Sequence, residues 1–220
     1  LDALQQLAAT HRKKFDIPVI GVTGSNGKTT VKEWLYQLLQ PDYNTVRSPR
    51  SYNSQIGVPL SVWQIGSKTE MAIFEAGISQ PDEMIHLEEI IKPTLGLITN
   101  IGEAHQEGFQ TIQQKCIEKL TLLKACDCII YDGDNELICE CVEKLCFGCR
   151  EIAWSRKDRD KPLYISKIIK GNDSTKIEYT YLQYHSYITI PFVEDASIEN
   201  AIHCLSLIHI SEPTRQAEIS

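Results

Sequence analysis

The stretch that most constrains this chain is residues 17–30, IPVIGVTGSNGKTT. Residues 18–22 form a short apolar run rich in β-branched side chains, suited to a parallel strand buried on both faces, and a glycine-bearing turn and a helix follow at once. Gly24 and Gly27 lack Cβ atoms, so consecutive backbone N–H groups can converge on an anion, and the helix opening near Lys28 adds its positive dipole end. Lys28 supplies a point charge for the β- and γ-phosphates of a nucleotide, and the Thr29 hydroxyl can ligate Mg²⁺. The pattern G-x-x-x-x-G-K-[ST] is met in part: Val22 stands where its first glycine belongs, leaving a G-x-x-G-K-T core. A Gly/Asn turn leading into an ordinary helix is the competing reading. Strand, turn and helix all fall where phosphate binding needs them, which favours the phosphate cradle.

The 220 residues carry a net charge of −7, with 42% hydrophobic and 23% charged side chains, as in an ordinary globular protein. That charge argues against a general nucleic-acid or anionic-membrane surface, so neither partner is expected. No signal-peptide pattern opens the chain, and no apolar run approaches the ~18 residues of a membrane span, so a cytoplasmic location is expected. Of eight cysteines, Cys139, Cys141, Cys146 and Cys149 fall close together, after Cys126 and Cys128. On a helix Cys139 and Cys141 would point nearly opposite ways, which suits packing of reduced thiols better than zinc chelation.

Residues 1–14 have the pattern of an amphipathic helix with a basic end, read as the end of a preceding domain or a linker. After the phosphate loop, residues 29–39 form a helix stopped at Pro41, residues 43–46 a short strand, and residues 51–60 a polar loop leading into a short apolar helix. The strand at residues 71–74 delivers Glu75 to its carboxyl end. Ligands sit at such ends in open α/β sheets, so Glu75 is well placed to hold Mg²⁺. A third strand at 95–99 runs out into Asn100 and His105 on the same edge. Residues 111–124 are helical, with Lys119 among the apolar positions, where a lysine ordinarily snorkels to the surface. Strands and helices alternate to about residue 154, arguing an α/β fold with a mostly parallel sheet flanked by helices. Residues 163–169, 176–182 and 187–190 then read as a small antiparallel meander at one edge of that sheet.

With these residues in hand, the chain resembles the central, ATP-binding domain of the Mur ligases from about residue 15 to 204. The likeness rests on separate motifs in order: TGSNGKTT at 23–30, SYNSQIGVP at 51–59, FEAG at 74–77, TNIGEAH at 99–105 and ENA at 199–201. Folylpolyglutamate synthetases share the ring of phosphate loop, acid and histidine.

The resemblance implies a ligase of cell-wall (peptidoglycan) precursor synthesis that phosphorylates a substrate carboxylate with ATP and then forms an amide from the acyl phosphate. For the intact enzyme it implies UDP-N-acetylmuramoyl-tripeptide and D-alanyl-D-alanine as substrates. It implies ATP contacts from Gly24, Ser25, Asn26, Gly27, Lys28, Thr29 and Thr30, with Asn200 reading the adenine ring. Thr29 and Glu75 would hold one Mg²⁺; His105 and Lys119, the latter as a carbamate, would hold a second. Asn53 and Asn100 match positions near substrate and metal. Complete ligases carry further domains on both sides, so a chain holding only this one is expected to be limited to ATP binding. The alternatives are a folylpolyglutamate synthetase-like ligase, and a P-loop NTPase or nucleotide-binding module in which His105, Lys119 and Asn200 would be incidental.

The apolar spacing of Ile198, Ala201, Ile202, Leu205 and Ile208 predicts a helix opening at Asn200. Residues 205–215, LSLIHISEPTR, also resemble the translation of a transposon-end adapter used in sequencing libraries. On that reading residues 205–220 are a non-native tail with no packing role.

Overall fold

In the computed structural model, which describes residues 1–102 and 108–211, β1 (Val19–Thr23) lies between β3 (Met71–Glu75) and β4 (Leu95–Ile98), parallel to both. β2 (Thr45–Arg47) pairs outside β3, and β5 (Cys128–Asp132) and β6 (Arg150–Ser155) continue in parallel beyond β4. The chain leaves β1 for β2, beyond β3, and after β3 it crosses β1 to reach β4 on the other side. Such a switch point opens a crevice at the carboxyl ends of the strands.

The alternation of side chains along the strands explains why both faces are covered. Val19, Ala72, Phe74, Ile98 and Ile129 point to one face, against α3 (Gly57–Val62), α4 (Glu83–Ile91), α5 (Ile112–Leu120) and α6 (Glu136–Leu145). Ile20, Val22, Ile73, Leu97 and Ile130 point to the other. There they meet Val31 and Leu35 of α2 (Lys28–Leu39) and Cys204 and Leu207 of α7 (Asp195–Ser211). Most of the cysteines join these cores: Cys116, Cys126, Cys128, Cys141 and Cys204 are buried free thiols. α1 (Asp2–Arg12) packs on α3 and α4, where the buried Arg12 guanidinium donates to the carbonyls of Ile91 and Lys92 at the end of α4.

The meander is continuous with the main sheet. β7 (Leu163–Lys170) pairs in parallel with β6 through Trp154↔Leu163 and Ser155↔Tyr164, and β8 (Thr175–Tyr181) and β9 (Tyr184–Ile190) follow antiparallel. A single sheet in the order β2-β3-β1-β4-β5-β6-β7-β8-β9 results.

α7 differs from expectation at its far end. Leu205 packs with Trp154, Leu163 and Ile165, Leu207 has no exposed surface, and the His209 ring stacks on Tyr181 with centroids 4.6 Å apart. The expected loss of packing from residue 205 onward is therefore not what the structure shows as far as His209. The apolar helical spacing persists through Leu205 and Leu207, and two buried clusters are there to receive it. Residues 212–220 lie outside the described residues. Among the described residues no helix is long and apolar enough to cross a membrane.

Leu35 is fully buried between the sheet and α7. Leu35→Ala is expected to lower unfolding stability by about 2–5 kcal/mol, measured by urea denaturation. A loss below about 1 kcal/mol would contradict this packing.

Candidate active site

The turn between β1 and α2 is shaped by two left-handed glycines. Gly24 has φ +133° and Gly27 φ +82°. A Cβ on Gly24 would stand 2.0 Å from Thr99 Oγ1, and one on Gly27 would stand 2.3 Å from Asn200 Oδ1, so side chains at either position would collide as well as strain the backbone. Thr99 Oγ1 donates to the carbonyl of Asn26 at 2.6 Å and lies 3.3 Å from that of Thr23. Helical bonding begins with the Val31 N–H donating to Gly27 O, so the N–H groups of Lys28, Thr29 and Thr30 have no intrahelical acceptor and carry the positive dipole end.

Asn100 holds this turn rather than facing outward. Its backbone carbonyl accepts from the Ser25 N–H at 2.7 Å, and its Oδ1 accepts from the Asn26 N–H at 3.0 Å. Ser25 Oγ in turn accepts from the Gly102 N–H at 2.9 Å. The first two amides of the turn thus serve its architecture. The Lys28 ammonium donates to Gly24 O and Ser25 O at 2.9 and 3.1 Å. Burial lowers its pKa, with Glu75 pulling the other way and Lys115 reinforcing the shift.

Glu75 ends β3 with no exposed surface. Its Oε1 accepts from Asn53 Nδ2 at 3.2 Å, and the nearby Thr29 side chain favours the ionised carboxylate. Oε2 is buried with no hydrogen-bond partner among the described residues; its nearest cation, Lys32 Nζ, is 4.0 Å away, too far for a hydrogen bond. Desolvation raises the Glu75 pKa, against the pull of Thr29, Lys32, Lys28 and Asn53. An orphaned buried carboxylate oxygen beside a threonine hydroxyl is a fitting donor set for a hard divalent cation.

Lys32 escaped the reading of the sequence. Fully buried on α2, its ammonium donates to the carbonyls of Ser48, at 2.8 Å, and Arg50, and so clamps the start of the polar loop that carries Asn53. The signal available was a lysine beside Val31 on the apolar face of a helix. Lys119, expected from the resemblance at the site although a lysine in its position ordinarily snorkels to the surface, is buried. Lys115, one turn earlier on α5, is buried beside it and donates to Gly102 O at 2.7 Å. Burial, with Lys28 and Lys115 nearby, pushes the Lys119 pKa down to about 7. Both lysines line a cavity of about 660 Å³ together with Ser25, Asn26, Lys28 and Asn53. Asn200 is buried against Gly27 from α7. His105 lies outside the described residues.

The sequence matches the family described as the Mur ligase middle domain over residues 22–208, most of the chain. The chain belongs to the Mur ligase family. Among curated Mur ligases, the UDP-N-acetylmuramoyl-tripeptide--D-alanyl-D-alanine ligase of Borreliella burgdorferi is 42% identical over 120 residues, covering 54% of this chain and 26% of that protein. The enzyme of the same name from Buchnera aphidicola subsp. Baizongia pistaciae is 29% identical over 203 residues, covering 91% of this chain and 44% of that one. The chain therefore spans less than half the length of these relatives. MurF ligase from Thermotoga maritima, solved in complex with ADP, shares the fold at TM-score 0.84 and 24% identity over 95% of this chain and 49% of that one. A solved structure described as an FPGS-AMPPCP complex shares it at TM-score 0.70 and 13% identity, over 95% of this chain and 63% of that one. In this Mur ligase domain the glycine turn, the buried acid and the paired lysines meet at one sheet edge.

A buried lysine whose pKa is depressed folds more readily as the neutral amine. Below pH 7 folding must bury the ammonium; between about 7 and the ordinary value of 10.5 the folded state binds fewer protons than the unfolded, so this contribution to stability rises with pH. Lys119→Met is expected to be more stable than the parent at pH 7, by a margin that shrinks towards pH 9. Urea midpoints at the two values check this, and a constant margin would contradict it.

Proposed function

We propose that this chain is the ATP-binding domain of a ligase that joins D-alanyl-D-alanine to UDP-N-acetylmuramoyl-tripeptide, acting in the cytoplasm. The observation that carries the reading is the orphaned, fully buried Glu75 oxygen near Thr29, in a carboxylate joined through Asn53 to the cavity that Asn53, Lys28 and Lys119 line. The names of the curated relatives support the choice of substrates.

In this reading the N–H groups of Lys28, Thr29 and Thr30 and the Lys28 ammonium bind the β- and γ-phosphates of ATP, while Asn200 contacts the adenine. Thr29 and Glu75 would hold one Mg²⁺, and His105 and a carbamate on Lys119 a second. Bound Mg²⁺ supplies neutralisation of charge on the transferring phosphoryl group. A substrate carboxylate oxygen attacks the γ-phosphorus and ADP leaves; the D-alanyl-D-alanine amine then attacks the acyl carbon, loses a proton and expels phosphate. The chain's part is positioning and electrostatics. A Lys119 with a pKa near 7 offers the neutral amine that carbon dioxide needs to form a carbamate. Asn53, bonded to Glu75, orients the acid from the substrate side.

Lys28→Ala is expected to remove most of the affinity for Mg-ATP and leave the fold intact, as read by titration calorimetry and circular dichroism; equal affinities would end this reading. For Glu75→Gln the expected result is loss of the metal dependence. Chelating Mg²⁺ should weaken nucleotide binding to the parent severalfold and leave the variant's affinity nearly unchanged.

A further inference from the structure

His203 has no exposed route and is absent from every motif that points to the site, yet it is tied to the phosphate turn. Trp154 Nε1 donates to its Nδ1 at 3.2 Å, and its Nε2 lies 2.9 Å from the carbonyl of Thr99. The indole can only donate and the carbonyl can only accept, so both partners demand the same neutral ring, protonated on Nε2. Burial, which lowers the ring's pKa to about 4, agrees with that form. The bonded carbonyl belongs to the peptide joining Thr99 to Asn100. Thr99 Oγ1 bonds Asn26 O, and Asn100 bonds the amides of Ser25 and Asn26. The orientation of that one peptide is thereby transmitted to the whole turn. Asn200, one helical turn before His203, touches the same turn directly at Gly27.

We propose that His203 is a positioning residue for the phosphate turn, its bond to Thr99 locking the turn to the helix that carries the nucleobase-contacting Asn200. The inference rests on the nucleotide reading above. It makes the phosphate half of nucleotide binding depend on a side chain that touches no nucleotide.

The test is titration calorimetry of the chain with Mg-ATP and with AMP, which lacks the phosphates the turn would hold. His203→Leu, which has no donor, and His203→Asn, whose amide is too short to reach Thr99 O, are expected to bind Mg-ATP about tenfold more weakly and AMP within about twofold of the parent. His203→Gln, long enough to donate, is expected to restore Mg-ATP binding to within about threefold. Nitrogen-15 NMR of the histidine-labelled parent at pH 7 should show a ring protonated on Nε2 alone. Unchanged Mg-ATP affinity in the Leu and Asn variants, parallel losses for ATP and AMP with no rescue by Gln, or a ring protonated on Nδ1 would each overturn the proposal. If His203→Leu does not fold, the contrast between Asn and Gln decides. A parent that binds no Mg-ATP would instead bring down the nucleotide reading, and this inference with it.

Discussion

Glu75 carries its carboxylate to a place with no exposed surface, and an ionised carboxylate there must find donors and cations or lose its charge. Its surroundings answer that demand in part. Thr29 reaches it from the phosphate turn, Asn53 from the polar loop, and Lys32 stands 4.0 Å away while clamping that loop's beginning. Three segments distant in sequence are thus gathered by one acid. The second carboxylate oxygen stays without a hydrogen-bond partner among the described residues.

The same edge concentrates positive charge on side chains that are buried or half-buried. Lys28, Lys115 and Lys119 share a cavity, and each has its pKa lowered by burial. Mutual repulsion adds to the cost for Lys28 and Lys119. A region that is costly for cations and short of anions favours whatever brings phosphate or carboxylate groups into it. Structural economy and ligand preference are here one arrangement.

Much of this was legible in the residues because the signals are local. The apolar run before Gly24, the glycines of the turn and the strand ending at Glu75 each report their own conformation, and the alternation of helices and strands dictates a parallel sheet. What stayed hidden depends on pairs far apart. A lysine within an apolar helical face reads as a snorkelling side chain until the carbonyls of Ser48, Arg50 or Gly102 are known to wait for it. Asn100 was legible only as a position near the site, since nothing nearby in sequence shows that it accepts hydrogen bonds from two amides of the turn. His203 gave no signal except its place three residues after Asn200, and the burial of Leu205 and Leu207 emerges only once the two clusters that enclose them exist.

α7 closes the domain by returning from the meander to the middle of the sheet. Cys204 contacts Val31 across 173 positions, and His203 reaches Thr99 across 104. Contacts of that span form late, because the loop entropy must be met before they contribute. During synthesis the phosphate turn emerges early and waits for almost the entire domain before its geometry is complete. Nucleotide capture would then mark a finished chain, and nascent pieces of the domain would be poor competitors for ATP.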